Sequence, residues 1–320
     1  MTRGSHQFWQ RRRASKILPR IRAKPSLKRE ARLANIVAYK VGMSNLMMID
    51  DSESPAKQQE VNKACTVLEV PQMELYGIRF YRKNPYSGYL EVATEIYSKD
   101  AIKKFGIKTE NNDTKLNKFK EELKKFQDAT ALIVAYPETT GSDQKHIERF
   151  ESFVDAKNIE EKFLFLSNNL GKEIKIDSTF KQGEYIDVTA ITKGKGWQGA
   201  IKRFGVSRHS HKATQKIRSG SILGSYGIGK ILYTVPRPGQ MGFNYRTERN
   251  KRILKIGNPE QVSEVNKKSG FINYGNVKNS FVIIEGSIPG TQKRLVRLRE
   301  SLSRTINSKP REPKIITILK

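Results

Sequence analysis

A single cysteine, Cys65, stands in 320 residues. One thiol excludes an intrachain disulfide framework and suits a reducing cytosol. Cys65 lies in an apolar, strand-like run and reads as a small core residue. No apolar run reaches the roughly 18 residues that a transmembrane helix needs. The first residues hold no apolar stretch of the kind a secretory signal carries. Without an amphipathic basic helix or a lipidation motif, an anionic membrane is a poor partner. The four histidines form no metal-ligand set with Cys65, so no metal and no cofactor is expected. A Walker loop is also absent.

Negative charge is scarce overall and nearly missing in two stretches. The chain has 60 Lys and Arg against 32 Asp and Glu, a formal net charge of +28, and a pI near 10.0. Such an excess repels itself unless a partner neutralises it. Nucleic acid is the leading partner, because each neutralised phosphate releases a condensed counterion.

Between Lys193 and Lys255 the only acid is Glu248. Against it stand Lys193, Lys195, Lys202, Arg203, Arg208, Lys212, Lys216, Arg218, Lys230, Arg237, Arg246, Arg249, Lys251, Arg252 and Lys255. Glycines recur and the apolar residues keep no sustained period, so this stretch must be ordered by something outside itself. The second stretch is residues 1–33, where Arg11, Arg12, Arg13, Lys16, Arg20 and further bases face only Glu30, with Phe8, Trp9 and Ile17 interleaved. Aromatics among bases suit an arm lying in a nucleic-acid groove.

The rest alternates apolar runs with turn residues. Residues 36–49, 61–70, 75–81 and 89–97 are rich in β-branched and aromatic side chains and are punctuated by Gly42, Pro71, Gly77, Asn84-Pro85 and Ser87-Gly88. They predict consecutive antiparallel strands, hence a β-barrel or sandwich. From Asp100 acids and bases mix. Leu116, Phe119, Leu123 and Phe126 predict an amphipathic helix over 113–126. A short buried strand comes next over 129–136, then a second helix from Gly141-Ser142-Asp143 through Phe153, with Ser142 or Asp143 as its cap. Strand character returns at 185–192 and at 281–284. The divisions expected are a basic arm at 1–33, a first part of the barrel at 34–99, an α/β insertion at 100–178, a barrel strand at 179–192, the basic loop at 193–255, and completion of the barrel with a basic tail at 256–320.

Gly194-Lys195-Gly196-Trp197-Gln198-Gly199 matches the dinucleotide pattern after a strand. That fingerprint also needs a helix opening at the last glycine and an acid about 20 positions on. Ala200 to Gly205 make only a brief apolar turn, and residues 209–223 hold no acid. The glycines are better explained by close approach of backbone to phosphate. His209 and His211 sit among Arg208, Lys212 and Lys216, which repel a cation, so polar RNA contacts fit them better. Acid–base pairs cannot be assembled where carboxylates are absent. Trp197, Tyr226, Tyr233, Phe243 and Tyr245 could be core residues of a buried body, but on a basic loop they are better explained as stacking platforms or wedges, Tyr226 above all. An RNA-modifying enzyme with a basic substrate loop is the alternative, and it would need a carboxylate or Cys65 in a pocket elsewhere.

The run Gly183 to Gly196, together with Lys202-Arg203-Phe204-Gly205-Val206, resembles the signature of the universal ribosomal large-subunit protein three family. The similarity includes Ala38 to Met43, Val235-Pro236 through Gly239-Gln240-Met241-Gly242, and Gly286 to Gly290 with Lys293 to Val296. Phe8 through Ala23 resembles the extension of the archaeal and eukaryotic branch, and the length suits the archaeal form. The resemblance implies a mainly β fold: a translation-protein type β-barrel with an α/β insertion, a long basic N-terminal arm and a central loop extension. It implies a structural constituent of the large subunit, located in the cytoplasmic ribosome, without chemistry of its own and not a homo-oligomer. Its partners would be large-subunit rRNA, including the 3′ region, and neighbouring ribosomal proteins. It also implies early assembly and a loop reaching toward the peptidyl-transferase centre. RNA contact is therefore assigned to Trp9, Arg11, Arg12, Arg13, Lys16 and Arg20 in the arm. In the loop it is assigned to Trp197, Tyr226, His209, His211, Gln240 and the bases named above up to Arg252. Tyr226 stands where members of this branch usually carry Trp at the loop tip. Thr214 falls where eukaryotic members carry a modified His, so no modification is carried over.

Overall fold

A computed structural model describes residues 11–21, 23, 31–106, 125–210, 212, 217–218, 229–232, 235–303 and 311–319. The chain forms two compact units: residues 1–17 with 191–246, and residues 18–190 with 247–320. The strands are β1 (Arg32–Leu33), β2 (Asn35–Ile49), β3 (Glu60–Glu69), β4 (Gln72–Lys83), β5 (Leu90–Tyr97), β6 (Asp128–Tyr136), β7 (Glu148–Asp155), β8 (Tyr185–Ile191), β9 (Trp197–Gln198), β10 (Gly239–Gln240), β11 (Tyr245–Gly257), β12 (Phe281–Glu285), β13 (Leu295–Glu300) and β14 (Ile315–Leu319). Helices are fewer: α1 (Lys99–Phe105), α2 (Ile159–Asn169) and α3 (Ala200–Phe204). The fold is mainly β, as the sequence predicts.

Seven strands form one sheet in the order β13-β8-β11-β12-β3-β2-β14, with β13 also bonded to β2. The two apolar runs around Gly42 are one long strand, β2. Its pairing with β3 shifts register between Lys40 and Gly42. A Cβ on Gly42 would lie 2.9 Å from the Phe271 ring, so the bulge and the ring require glycine there. The inner residues Ile36, Tyr39, Val67, Leu68, Val188, Ile253, Phe281, Ile283 and Val296 are buried in one apolar cluster.

A second sheet has the order β1-β7-β6-β4-β5. Its residues Ile78, Phe80, Ala129, Ile133 and Phe150 join the same cluster. Strands β4 and β5, grouped by the sequence with the strands before them, therefore share a sheet with β6 and β7, in which β4 pairs with both β5 and β6. The helix predicted from Gly141 through Phe153 is not formed: residues 148–155 are strand β7. Phe150, Ser152 and Val154 point inward alternately, a period of two and not 3.6. Asp143, the expected cap, has φ of 58° and ion-pairs with Lys293 at 2.6 Å. The helix predicted over 113–126 lies outside the described residues except at its end, where Phe126 packs on Phe80 with ring centroids 5.1 Å apart. Helix α2, not foreseen, buries Phe163 and Leu166.

Two buried polar centres tie loops to this body. Glu69 accepts hydrogen bonds from the backbone N–H groups of Gly141 (3.0 Å), Lys278 (2.6 Å) and Asn279 (2.8 Å) and from the Tyr274 hydroxyl (2.5 Å). On β13, Arg299 donates to Asp187 at 2.5 Å and to the Ala23 carbonyl at 2.9 Å, and Arg297 donates to the Pro19 carbonyl at 3.3 Å. Strand β13, paired on both sides, thus holds the chain at Pro19 and Ala23 by their backbone carbonyls, independent of their side chains. Burial, opposed only by the charge of Glu151, pulls the Arg297 guanidinium down to about 10.

Cys65 is buried and donates to the Ser44 carbonyl at 3.2 Å. Burial, partly offset by that bond, pushes its thiol up to about 11. Since the thiolate is the reactive form, the native protein at pH 8 is expected to resist iodoacetamide over a period in which the urea-unfolded chain is fully alkylated. Equal labelling of both forms would contradict the core placement.

Candidate nucleic-acid interface

The unit made of residues 1–17 and 191–246 contains no Asp or Glu at all. Its frame is a ribbon of two chain segments. Strand β9 pairs antiparallel with β10, Gln198 opposite Gly239 and Trp197 opposite Gln240. Backbone bonds extend the ribbon: Lys195 N–H to Met241 O (3.0 Å), Met241 N–H to Gly196 O (2.9 Å) and Thr192 N–H to Asn244 O (3.0 Å). Gly242 has φ of 74°, and a Cβ there would lie 2.0 Å from the Lys193 carbonyl oxygen. The glycines of this region serve the crossing of the two segments, in addition to any approach to phosphate.

A short helix does open after Gly199, but α3 ends within five residues at Gly205, in the left-handed region. Its last turn carries Lys202 and Arg203. Lys202 is exposed to solvent. Arg203 turns inward and donates to the carbonyls of Gln240 and Arg237, both at 3.0 Å. Gln240 in turn donates to the carbonyls of Met241 (3.1 Å) and Gly242 (3.3 Å). Both side chains therefore brace the ribbon.

Residues 11–16 of the arm lie along it. Ala14 N–H donates to Phe243 O at 2.8 Å, Asn244 donates to the Arg12 carbonyl at 2.7 Å, and the Tyr245 hydroxyl donates to the Lys16 carbonyl at 2.9 Å. Arg11 donates to the Arg203 carbonyl at 2.9 Å and sits 4.4 Å from the centre of the Phe204 ring. Phe204 is a residue that sequence reasoning did not single out. Its role depends on Arg11 reaching it from a distant part of the chain, and no local pattern encodes that. Burial first, and then the charge of Arg11, lowers the guanidinium pKa values of Arg203 and Arg246. These cations are crowded together with no carboxylate in the unit, which is the electrostatic condition that an added anion relieves.

Arg12, Arg13, Lys16, Lys193, Lys195, Lys202, Arg208, His209, Lys212, Arg218, Lys230 and Arg237 are exposed in this unit. Trp197 is 75 % exposed, as a stacking platform requires. Trp9, His211, Lys216 and Tyr226 lie outside the described residues. Arg20 and Arg249, in the second unit, are exposed. Arg246 is half-buried and donates to the Tyr245 carbonyl at 2.8 Å.

Two assigned residues are committed elsewhere. Lys251 ion-pairs with Glu248 at 2.9 Å. Arg252 is buried; both its terminal nitrogens grip Asp51, one at 2.7 Å, and one also donates to the Arg311 carbonyl at 2.7 Å. That grip holds the Asp51 carboxyl below its usual range. The end of the predicted loop is strand β11, in which Ile253 and Leu254 belong to the core. The carboxylates that an enzyme would need are elsewhere: Glu173, Asp177 and Glu260 border a cleft of about 600 Å³ within the second unit. Among the described residues, no three His, Cys, Asp or Glu gather as a metal site, and no helix is long and apolar enough to cross a membrane.

Fold and surface together define a structural polyanion-binding protein: a packed mainly β body joined to an acid-free cationic unit. The family model for ribosomal protein L3 matches residues 2–317, and the chain belongs to that family. It is similar to the large ribosomal subunit protein uL3 of three archaea. With that of Methanospirillum hungatei it is 38 % identical over 321 residues, covering 98 % of this chain and 94 % of the relative. With that of Pyrobaculum arsenaticum it is 37 % identical over 329 residues, covering 99 % and 96 %. With that of Methanococcus vannielii it is 39 % identical over 306 residues, covering 93 % and 90 %. The chain is accordingly a structural constituent of the large ribosomal subunit, in the company of rRNA and other ribosomal proteins. The family is one of ribosome components and not of enzymes, so the RNA-modifying alternative falls.

Proposed function

We propose that residues 1–17 and 191–246 are the principal rRNA-binding surface of this chain. They engage large-subunit rRNA including its 3′ region, and the loop they contain reaches toward the peptidyl-transferase centre. The chain joins the subunit early and not as a homo-oligomer. The observation that carries this reading is the complete lack of Asp and Glu in a unit whose described cations are mostly exposed. Arg12, Arg13, Lys193, Lys195 and Lys202 supply phosphate contacts, and Trp197 supplies a stacking face. Arg203, Gln240 and Arg246 hold the ribbon in shape, and Arg252 belongs to the fold. The direct contacts assigned to Arg203, Gln240, Arg246 and Arg252 are thereby changed in role: Arg203 and Gln240 act on RNA through the backbone they position.

The test is filter binding of the full chain to large-subunit rRNA transcripts across a salt series. Lys195→Ala is expected to weaken binding to every rRNA fragment alike and to lower the slope of log K against log salt by about one. Trp197→Ala is expected to weaken it with the slope unchanged, since stacking releases no counterion. An unchanged slope for Lys195→Ala would remove that residue from the interface. A 3′ fragment that competes no better than a 5′ fragment would remove the assignment to the 3′ region.

A further inference from the structure

The tip of the β4–β5 hairpin is exposed and apolar, far in sequence from the acid-free segments. Tyr86 is 98 % exposed and Tyr89 77 %, with Leu90 and Val92 beside them also exposed. Isolated exposed aromatics are ordinary, but a cluster on one turn marks a contact surface. The turn is braced from within. Asn84 N–H donates to Tyr89 O and Gly88 N–H to Asn84 O, both at 2.9 Å. The Asn84 side-chain oxygen accepts the N–H groups of Tyr86 (2.8 Å) and Ser87 (3.2 Å), and its amide donates to Glu91. The tyrosines are thus presented on backbone already ordered, which lowers the entropic cost of using them.

Charge decides the partner. Arg82 and Lys83 are exposed at the stem, and neither ion-pairs among the described residues. The one acid at the tip, Glu91, accepts from the Asn84 amide and stands opposite Arg82 across the hairpin, so Arg82, Lys83 and Glu91 together keep a net positive charge. Two planar rings with cations at their base match an unpaired nucleotide run, bases on the rings and phosphates on the cations. We propose that this hairpin is a separate RNA-contact site that stacks on unpaired bases of large-subunit rRNA. It rests on the reading that the chain binds that RNA, and it adds a contact outside the arm and loop.

The experiment compares the full wild-type chain with Tyr86→Ala/Tyr89→Ala and Tyr86→Phe/Tyr89→Phe. The readouts are filter binding to large-subunit rRNA transcripts and base-specific chemical probing of the complexes. The expected result is that the Ala pair binds about tenfold more weakly with an unchanged salt slope. A discrete group of unpaired bases becomes reactive again, and the Phe pair behaves as wild type. Both residues face solvent, so thermal melting of the Ala pair should match wild type. Wild-type affinity and footprint for the Ala pair would overturn the proposal. So would a photocrosslinker at position 86 that captures protein and no RNA in whole large subunits; the exposed edge of β5 would then be an interface with a protein strand. Failure of the wild-type chain to bind rRNA would instead strike the underlying reading.

Discussion

Glu69→Ala is expected to remove about 4 kcal/mol or more of stability and to leave much of the chain insoluble on expression. The carboxylate is fully buried and receives four donors from two loops. Each donor orphaned in the interior costs about 1–3 kcal/mol, against a total margin of about 5–15 kcal/mol for a folded domain. The Tyr274 phenol shows the same environment from the other side. Burial, and after it the charge of Glu69, raises its pKa far above the ordinary value. Glu69→Gln keeps the volume and one acceptor oxygen, so it should lose less than the Ala variant. Urea unfolding monitored by circular dichroism checks both, and a Glu69→Ala midpoint equal to wild type would refute the hub.

Asp187→Ala should be nearly as damaging, at about 3–5 kcal/mol, because it leaves the buried Arg299 charge without its counterion. It also strips an acceptor from the Asn250 N–H, 3.1 Å away. Replacing Arg299 by Met in the same chain should recover part of the loss, since a buried pair removed whole costs less than a pair broken. The double variant would still lack the bond to the Ala23 carbonyl, so protease cleavage near Ala23 should be quicker in it than in wild type. A single variant within about 1 kcal/mol of wild type would mean that water reaches this pair.

The strands were legible because their ends carry punctuation. Pro71, Asn84-Pro85 and Ser87-Gly88 bound β3, β4 and β5, and the apolar residues between are β-branched or aromatic. Sheet membership was not legible, because β4 comes after β3 across Pro71 yet pairs with β6. The misread helix at 141–153 leaned on a cap-like Ser142-Asp143, and the inward alternation of Phe150, Ser152 and Val154 includes a polar residue, so no period-two apolar pattern announced it. The charge asymmetry of the interface could be read directly from composition. Which of its cations are internal could not. Arg252 is taken by Asp51, 201 positions away, and Arg203 by carbonyls that reach it only once residues 192–198 cross 239–244. A guanidinium in a basic run looks the same whether it faces phosphate or a neighbouring carbonyl.

The most direct test of the account is sedimentation of cell lysate through sucrose gradients at low and high salt, with blotting for this chain. The account predicts that it travels with the large subunit and stays there through a high-salt wash, as a unit embedded in rRNA would and one merely adsorbed would not. A chain that remains at the top of the gradient at low salt would contradict it.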